Sequence, residues 1–192
     1  RAFISLFFFV ALASVAVGQN ASDWFITVWD LSKPTDRTSN NPASTIAFPG
    51  VGSGYKLYWE DADNASINGT VPPVSSNGAS NPYYLPIPPG TTKVRIKVHK
   101  GSGTFSTISH NGWDADPKRL IAVEQWGTTK WTTMNWAFSR CENMDVTATD
   151  KPDLSQCTSL QCMFHKCSKL VNDNGSISNW NTEKITDMSE VF

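Results

Sequence analysis

Apolar and polar residues alternate in the first half of the chain with the period of a β-strand. Around Val94, Ile96 and Val98, each apolar residue is followed by a charged residue or a histidine. This pattern predicts a strand with one buried face and one face in water. Residues 24–29 and 55–59 are rich in the aromatic and β-branched residues that favour sheets. We therefore expect several short strands in this half.

Segments rich in Asn, Ser, Pro and Gly separate these predicted strands. Residues 35–42 and 70–82 lack apolar periodicity and are interpreted as exposed loops. The glycine-rich residues 50–54 lack the lysine of a phosphate-binding loop and are interpreted as a turn before the next strand. Short strands with such connections predict a small β-sandwich over residues 22–112.

The second half of the chain repeats itself. Four apolar positions recur after 26 residues, and a third copy follows the first at an offset of 54 residues. We expect these positions to form the core of the repeats: Trp126, Met134, Phe138, Cys141, Met144, Leu160, Phe164, Cys167, Leu170, Trp180, Met188 and Phe192. Their spacing predicts a buried ladder in which the ring of Phe164 lies between those of Phe138 and Phe192.

A period of this length is typical of leucine-rich repeats, whose units bury their apolar faces by stacking. The expected fold is mainly β with short helical turns: a small sandwich followed by a leucine-rich-repeat-type solenoid over residues 118–192. Helical turns are expected at 158–164 and 186–192. The third copy stops at Phe192, before the Cys and Leu that close the other copies, so we expect the array to be truncated there.

The start of the chain has the pattern of an export signal. Residues 3–17 are an apolar run after Arg1, and small residues follow it. The run is shorter than the about 20 residues that a spanning helix needs, so residues 1–18 are predicted to be a cleaved signal peptide. A first residue other than Met indicates that at least one residue is missing. The expected location is secreted or on the extracellular surface, with no membrane span.

The net charge of the chain bears on the kind of partner it could bind. The chain has 16 basic and 17 acidic residues and a net charge of -1, so no partner of one charge sign is favoured and no nucleic-acid ligand is expected. Charged residues make up only 17% of the chain, which suits an extracellular β-rich protein.

Four cysteines in an exported chain raise the question of disulfides. Cys141 and Cys167 occupy equivalent repeat positions and would either pair or remain buried thiols. Cys157 and Cys162 are five residues apart and could also pair, so the connectivity stays open. A zinc site with His165 is disfavoured, because positions in an apolar ladder do not converge on one point.

No motif indicates catalysis or a bound cofactor. The sequence has neither a Gly-x-Ser-x-Gly elbow nor a His-Glu-x-x-His pair. The pairs Asp61/Asp63 and Asp114/Asp116 could offer oxygens to Ca²⁺, but they are interpreted as solvated loop acids. We expect no metal, no cofactor and no enzymatic activity.

Two residues between the core positions are candidate partner contacts. Trp136 and Arg140 are four apart on a predicted helical turn and would share one face, and binding energy concentrates in such side chains. Trp136 could instead pack against the upstream strands and cap the first repeat. Trp113 likewise has no structural role in the pattern, and with Trp136 it could form an exposed aromatic contact surface. Four N-x-Ser/Thr sequons are candidate glycosylation sites: Asn20, Asn64, Asn68 and Asn174.

Two stretches of the repeat region carry a family resemblance. Residues 180–192, WNTEKITDMSEVF, resemble the repeat core W-x-T-x-x-V-T-x-M-x-x-M-F of BspA-like leucine-rich-repeat surface proteins. Residues 152–167 resemble the same core, with Cys157 and Leu160 where Val and Met are usual. Upstream, residues 58–63 stand where related proteins carry the W-G-D-G turn of a PKD-like module. Residues 90–96 resemble that module's closing strand.

The resemblance implies a surface protein that adheres to host or matrix proteins and has no catalytic centre in its repeats. The predicted function is therefore non-enzymatic binding or adhesion to a protein or glycan on a cell or matrix surface. The alternative is that the chain is a non-catalytic module of a larger exported glycan-active enzyme.

Overall fold

A computed structural model describes residues 20–38, 40–172 and 174–192. The predicted signal peptide, residues 1–18, lies outside these ranges. The described chain is mainly β, with ten strands and three short 3₁₀ helices. The strands are β1 (Phe25–Asp30), β2 (Thr45–Phe48), β3 (Gly50–Asp61), β4 (Asn68–Thr70), β5 (Val74–Asn77), β6 (Tyr83–Pro86), β7 (Lys93–His99), β8 (Thr104–Ile108), β9 (Leu120–Gln125) and β10 (Asp145–Val146). The 3₁₀ helices are Ala21–Asp23, Pro117–Arg119 and Ser176–Asn179.

Eight strands form one sheet, whose main path runs β10-β9-β1-β7-β3-β4, with β5 and β8 both paired to β3. β2 and β6 form a separate two-stranded sheet. The pairing of β9 with β10 is parallel and the other pairings between named strands are antiparallel. Residues on both sides of the predicted boundary thus share one sheet. The division into 22–112 and 118–192 stays a prediction.

β3 is the longest strand and serves two groups of partners. Its first half pairs with β5 and β8, and its second half with β4 and β7. Within the first half, a Cβ on Gly52 would lie 2.1 Å from the carbonyl oxygen of Thr104, so only glycine allows this close approach. The register shifts next to it, as in a β-bulge. The turn predicted at residues 50–54 is wrong, because these residues lie inside β3.

The strand predicted from strict alternation is confirmed. Val94, Ile96 and Val98 of β7 are fully buried, while the residues between them are partly exposed. β7 lies between β1 and β3, and these neighbours contain the two other predicted strands. The prediction that 70–82 is an exposed loop is wrong in part. β5 lies within this stretch, and its Ser76 is buried and accepts or donates a 2.6 Å hydrogen bond with Tyr55 Oη.

The resemblance to a PKD-like module is wrong in both of its features. Tyr58 and Asp61, expected in a tight turn, lie inside β3. The segment expected to close the module forms β7, which has hydrogen-bonded neighbours on both sides and is a central strand.

The predicted leucine-rich-repeat solenoid is also wrong. We call residues 126–192 the repeat segment. Among its described residues, the β-structure consists of β10 and two isolated parallel bridges, one between Lys130 and Asp153 and one between Ser159 and Asp187. The sheets of the described chain neither close nor form a solenoid. The predicted sandwich-plus-solenoid fold is therefore replaced by a mainly β fold onto which a segment of turns packs.

Left-handed backbone explains why the repeat segment forms turns. Trp136, Arg140, Cys162, Lys166 and Glu190 all have φ between 51° and 64°, and they recur at the offsets of the repeat. A left-handed residue interrupts both a right-handed helix and an extended strand. The helical turns predicted at 158–164 and 186–192 are therefore wrong, as is the helical turn expected to carry Trp136 and Arg140.

The predicted aromatic ladder is nevertheless present. The ring of Phe164 stacks 5.7 Å from that of Phe138 and 6.0 Å from that of Phe192, with interplanar angles of 13° and 15°. Backbone hydrogen bonds also join the copies, for example from Phe138 N to the Met163 carbonyl at 2.9 Å. Equivalent positions of the repeat therefore lie side by side although they are joined by turns.

Replacing Phe164 with alanine should lower the free energy of unfolding by about 3–5 kcal/mol, because it removes a large buried ring from the middle of this ladder. Phe192→Ala is the matched control: its ring is 73% exposed, so the loss should stay below about 1 kcal/mol. Guanidinium denaturation followed by tryptophan fluorescence measures both. Equal losses in the two variants would contradict the burial of Phe164.

Candidate ligand-binding site

A pocket of about 280 Å³ lies between the loop after β8 and the repeat segment. The loop supplies one wall of the pocket, and the repeat segment supplies the other. We call this site the aromatic pocket; its lining residues are His110, Asn111, Gly112, Trp113, Trp136, Ser139, Arg140, His165 and Lys166.

Arg140 holds the loop against the repeat segment. Its Nη2 donates hydrogen bonds to the carbonyl oxygens of His110 at 2.8 Å and Gly112 at 2.5 Å. The His110 amide in turn donates to the carbonyl oxygen of Trp136 at 2.9 Å. Hydrogen bonds from a charged donor are stronger than neutral ones. The loop wall of the pocket is therefore fixed by three hydrogen bonds.

Two tryptophans give the pocket its aromatic surface. The Trp113 side chain is 82% exposed, and the Arg140 guanidinium lies 5.3 Å from the centre of its ring. Trp136 is half-buried, and its ring meets that of His165 edge-on at 6.2 Å. The structure thus brings both predicted contact residues, Trp136 and Arg140, into one site with Trp113. An exposed indole beside an arginine is typical of binding anchors.

Two polar atoms in the pocket wall have no hydrogen-bond partner among the residues that the structure describes. Ser139 is fully buried and its Oγ has no hydrogen bond, and the buried Nδ1 of His165 has none either. A buried polar group without a partner costs about 1–3 kcal/mol. Sequence reasoning missed Ser139, because a serine between apolar positions carries no signal of burial.

His110 forms the floor of the pocket and contacts a buried cysteine. The Nδ1–H of its ring donates to the Ala137 carbonyl oxygen at 2.6 Å, and Nε2 lies 3.8 Å from Cys141 Sγ. Burial lowers the pKa of His110 to about 4 and raises the pKa of Cys141. Both groups are therefore neutral near pH 7, unlike the thiolate–imidazolium pair of a cysteine nucleophile.

All four cysteines are free thiols in this structure, and three of them are buried. Burial raises the pKa of Cys167 to about 12, so this thiol is protonated at neutral pH. In the ranges that the structure describes, no three His, Cys, Asp or Glu side chains form a group that could hold a metal ion.

The prediction that Asp116 is a solvated loop acid is wrong. Its carboxylate is fully buried and forms a 3.0 Å ion pair with Arg37. It also accepts hydrogen bonds from Thr35 Oγ1 and the Ala47 amide. Asp61 is buried as well and accepts from two backbone amides of the following turn. These acids stabilise loops by long-range or local contacts.

The remaining candidate residues, those of the repeat core and the glycosylation sequons, differ in their burial. Eight of the expected core residues are buried: Trp126, Met134, Phe138, Cys141, Met144, Leu160, Phe164 and Trp180. Cys167 and Leu170 are partly buried, and Met188 and Phe192 are exposed. All four sequon asparagines, Asn20, Asn64, Asn68 and Asn174, are exposed.

Residues 115–192 match a family described as "Mycoplasma protein of unknown function, DUF285". No curated protein and no solved structure matches the chain. The match overturns the identification as a BspA-like leucine-rich-repeat protein with a PKD-like module, since neither the family nor the fold provides leucine-rich repeats. The matched family comprises surface proteins and suggests a location at the cell surface. No helix in the described ranges is long and apolar enough to cross a membrane.

The burial of His110 predicts a loss of stability in acid. Its pKa is about 4 in the folded protein and 6.5 when exposed, so the unfolded state takes up a proton first as the pH falls. The stabilisation is complete above pH 6.5 and is lost between pH 6.5 and 4, by about 2–3 kcal/mol at pH 4.5.

Denaturation at pH 7.5 and pH 4.5 tests this effect. His110→Gln should remove that part of the pH dependence, whereas His165→Gln, which changes a partly exposed histidine, should retain it. An unaltered pH dependence in His110→Gln would show that another group is responsible.

Proposed function

We propose that this chain acts at the cell surface as a non-enzymatic protein that binds a protein or glycan partner through the aromatic pocket. The observation that carries the proposal is the exposed ring of Trp113, which is 82% accessible and is part of a loop anchored by Arg140. Exposed aromatic rings that are held in place bind with little loss of conformational entropy. The family match supports the surface location.

The pocket is suited to binding rather than to covalent chemistry. A serine nucleophile needs a base within hydrogen-bond reach, yet neither Ser139 Oγ nor His165 Nδ1 has a hydrogen-bond partner. The closest cysteine–histidine contact, between Cys141 and His110, is buried and neutral. These features favour recognition without turnover.

Recognition would combine a few strong contacts with a rigid frame. Trp113 and Arg140 provide the aromatic and guanidinium groups in which binding energy concentrates. Trp136 contributes the inner wall, and its backbone is tied to the neighbouring repeat copy by a 2.9 Å hydrogen bond from its amide to the Gln161 carbonyl. Because the pocket is preformed, little ordering is needed on binding.

Replacing Trp113 with alanine should weaken capture without unfolding the protein. Capture is measured on immobilised surface glycans and extracellular-matrix proteins, and we expect at least about a tenfold loss of affinity. The midpoint of denaturation should stay unchanged, since an 82% exposed ring contributes little to the core.

Ile67→Ala is the matched control, because Ile67 is an exposed apolar residue outside the pocket. Equal capture by Trp113→Ala and the unmodified protein would refute binding at this pocket. Release of sugar or peptide products during incubation would refute the non-enzymatic function.

A further inference from the structure

We propose that the aromatic pocket binds an acidic saccharide, in which a carboxylate-bearing sugar ring stacks on Trp113 and its carboxylate pairs with Arg140 and Lys166. This inference rests on the proposed function and names the ligand class of the same site. The charge of the lining and the exposed ring of Trp113 support it.

The charge of the lining has one sign. Arg140 and Lys166 both line the pocket, and its lining contains no Asp or Glu. Neither residue forms a salt bridge within the described chain. Both hydrogen bonds of Arg140 use Nη2, which leaves Nε and Nη1 for a ligand. A guanidinium with free donors is well matched to a carboxylate.

The indole of Trp113 is suited to a sugar ring. Arg140 lies near this ring, yet 82% of the side chain remains exposed. The face of an aromatic ring carries partial negative charge, and the C–H groups of a pyranose ring carry partial positive charge. Because the guanidinium lies over one face of the indole, a sugar ring would stack on the opposite, open face, and its carboxylate would extend past the edge of the indole to the free donors.

An extended acidic peptide fits the pocket less well. Peptide recognition at a sheet edge or groove uses free backbone groups, but the carbonyls of His110 and Gly112 are already bonded to Arg140. The volume of about 280 Å³ lies at the lower end of small-molecule sites. It suits a single ring rather than a length of chain.

Calorimetric titration of the full chain with a glucuronic-acid-containing tetrasaccharide tests the inference. The matched ligand is the same tetrasaccharide with its carboxyl groups reduced to alcohols. We expect the acidic form to bind at least about tenfold more tightly, and its affinity to fall as salt is raised from 50 to about 500 mM.

Variants separate the roles of charge and stacking. Lys166→Gln should weaken binding of the acidic form about three- to tenfold, and Trp113→Ala at least about tenfold. Lys169→Gln is the charge control, because Lys169 is exposed and outside the pocket lining, and it should leave affinity unchanged. Trp113→Phe should restore part of the affinity if stacking is responsible. Near-ultraviolet circular dichroism verifies that each variant is folded.

The outcomes separate this inference from the proposed function. Equal affinity for the acidic and reduced tetrasaccharides overturns the role of the carboxylate. Tighter binding of a poly-glutamate peptide than of the saccharide, with the same dependence on Trp113, overturns the ligand class but supports the pocket. Absence of saccharide binding together with Trp113-dependent capture of a matrix protein overturns this inference alone. Binding that is independent of Trp113 for every ligand overturns both.

Discussion

The packing around Trp126 is the interaction on which the arrangement of this protein depends. Its ring lies 5.9 Å from Phe25 of β1 and 5.8 Å from Trp131. It also lies 5.9 Å from Phe138 and 5.1 Å from Trp180, which belong to the repeat segment, as Trp131 does. A buried aromatic ring removes about 150–250 Å² from water, so one side chain joins the sheet to two copies of the repeat. Its unbonded indole nitrogen is the cost of this central position.

The backbone at this junction is held as firmly as the ring. The amides of Trp126 and Gly127 donate to the carboxylate of Asp150, which ties the end of β9 to the repeat segment. A Cβ on Gly127, whose φ is +65°, would lie 2.5 Å from the Asp23 carbonyl oxygen, so the chain passes there only because the residue is glycine. These contacts hold the start of the repeat segment against the sheet and the N-terminal 3₁₀ helix.

Periodicity predicted the parts of the fold in which the spacing of apolar side chains determines which residues are buried. Val94, Ile96 and Val98 are buried because every second residue of a central strand faces the core, and Phe138 and Phe164 stack because their offset repeats. β5 was missed because it contributes only a single large apolar residue, Val74, to the core.

The burial of Asp116 could not be predicted from its sequence neighbours, since its partner Arg37 is 79 residues away.

The turns of the repeat segment could not be predicted for a different reason. Left-handed backbone is usually signalled by Gly or Asn, but here those positions hold residues such as Trp136 and Lys166. The pocket was accordingly foreseen in two of its residues, Trp136 and Arg140, while Ser139 and the geometry that joins them to Trp113 required the folded chain.

At the left-handed positions, the stability of the fold and the specificity of binding depend on the same residues. Three of the pocket's side chains, those of Trp136, Arg140 and Lys166, stand on backbone that costs a residue with a Cβ about 1–3 kcal/mol each. Exchange for glycine or asparagine would relieve this strain but remove the surface chemistry. Selection for a robust fold and selection for a particular partner therefore oppose each other at the same three codons.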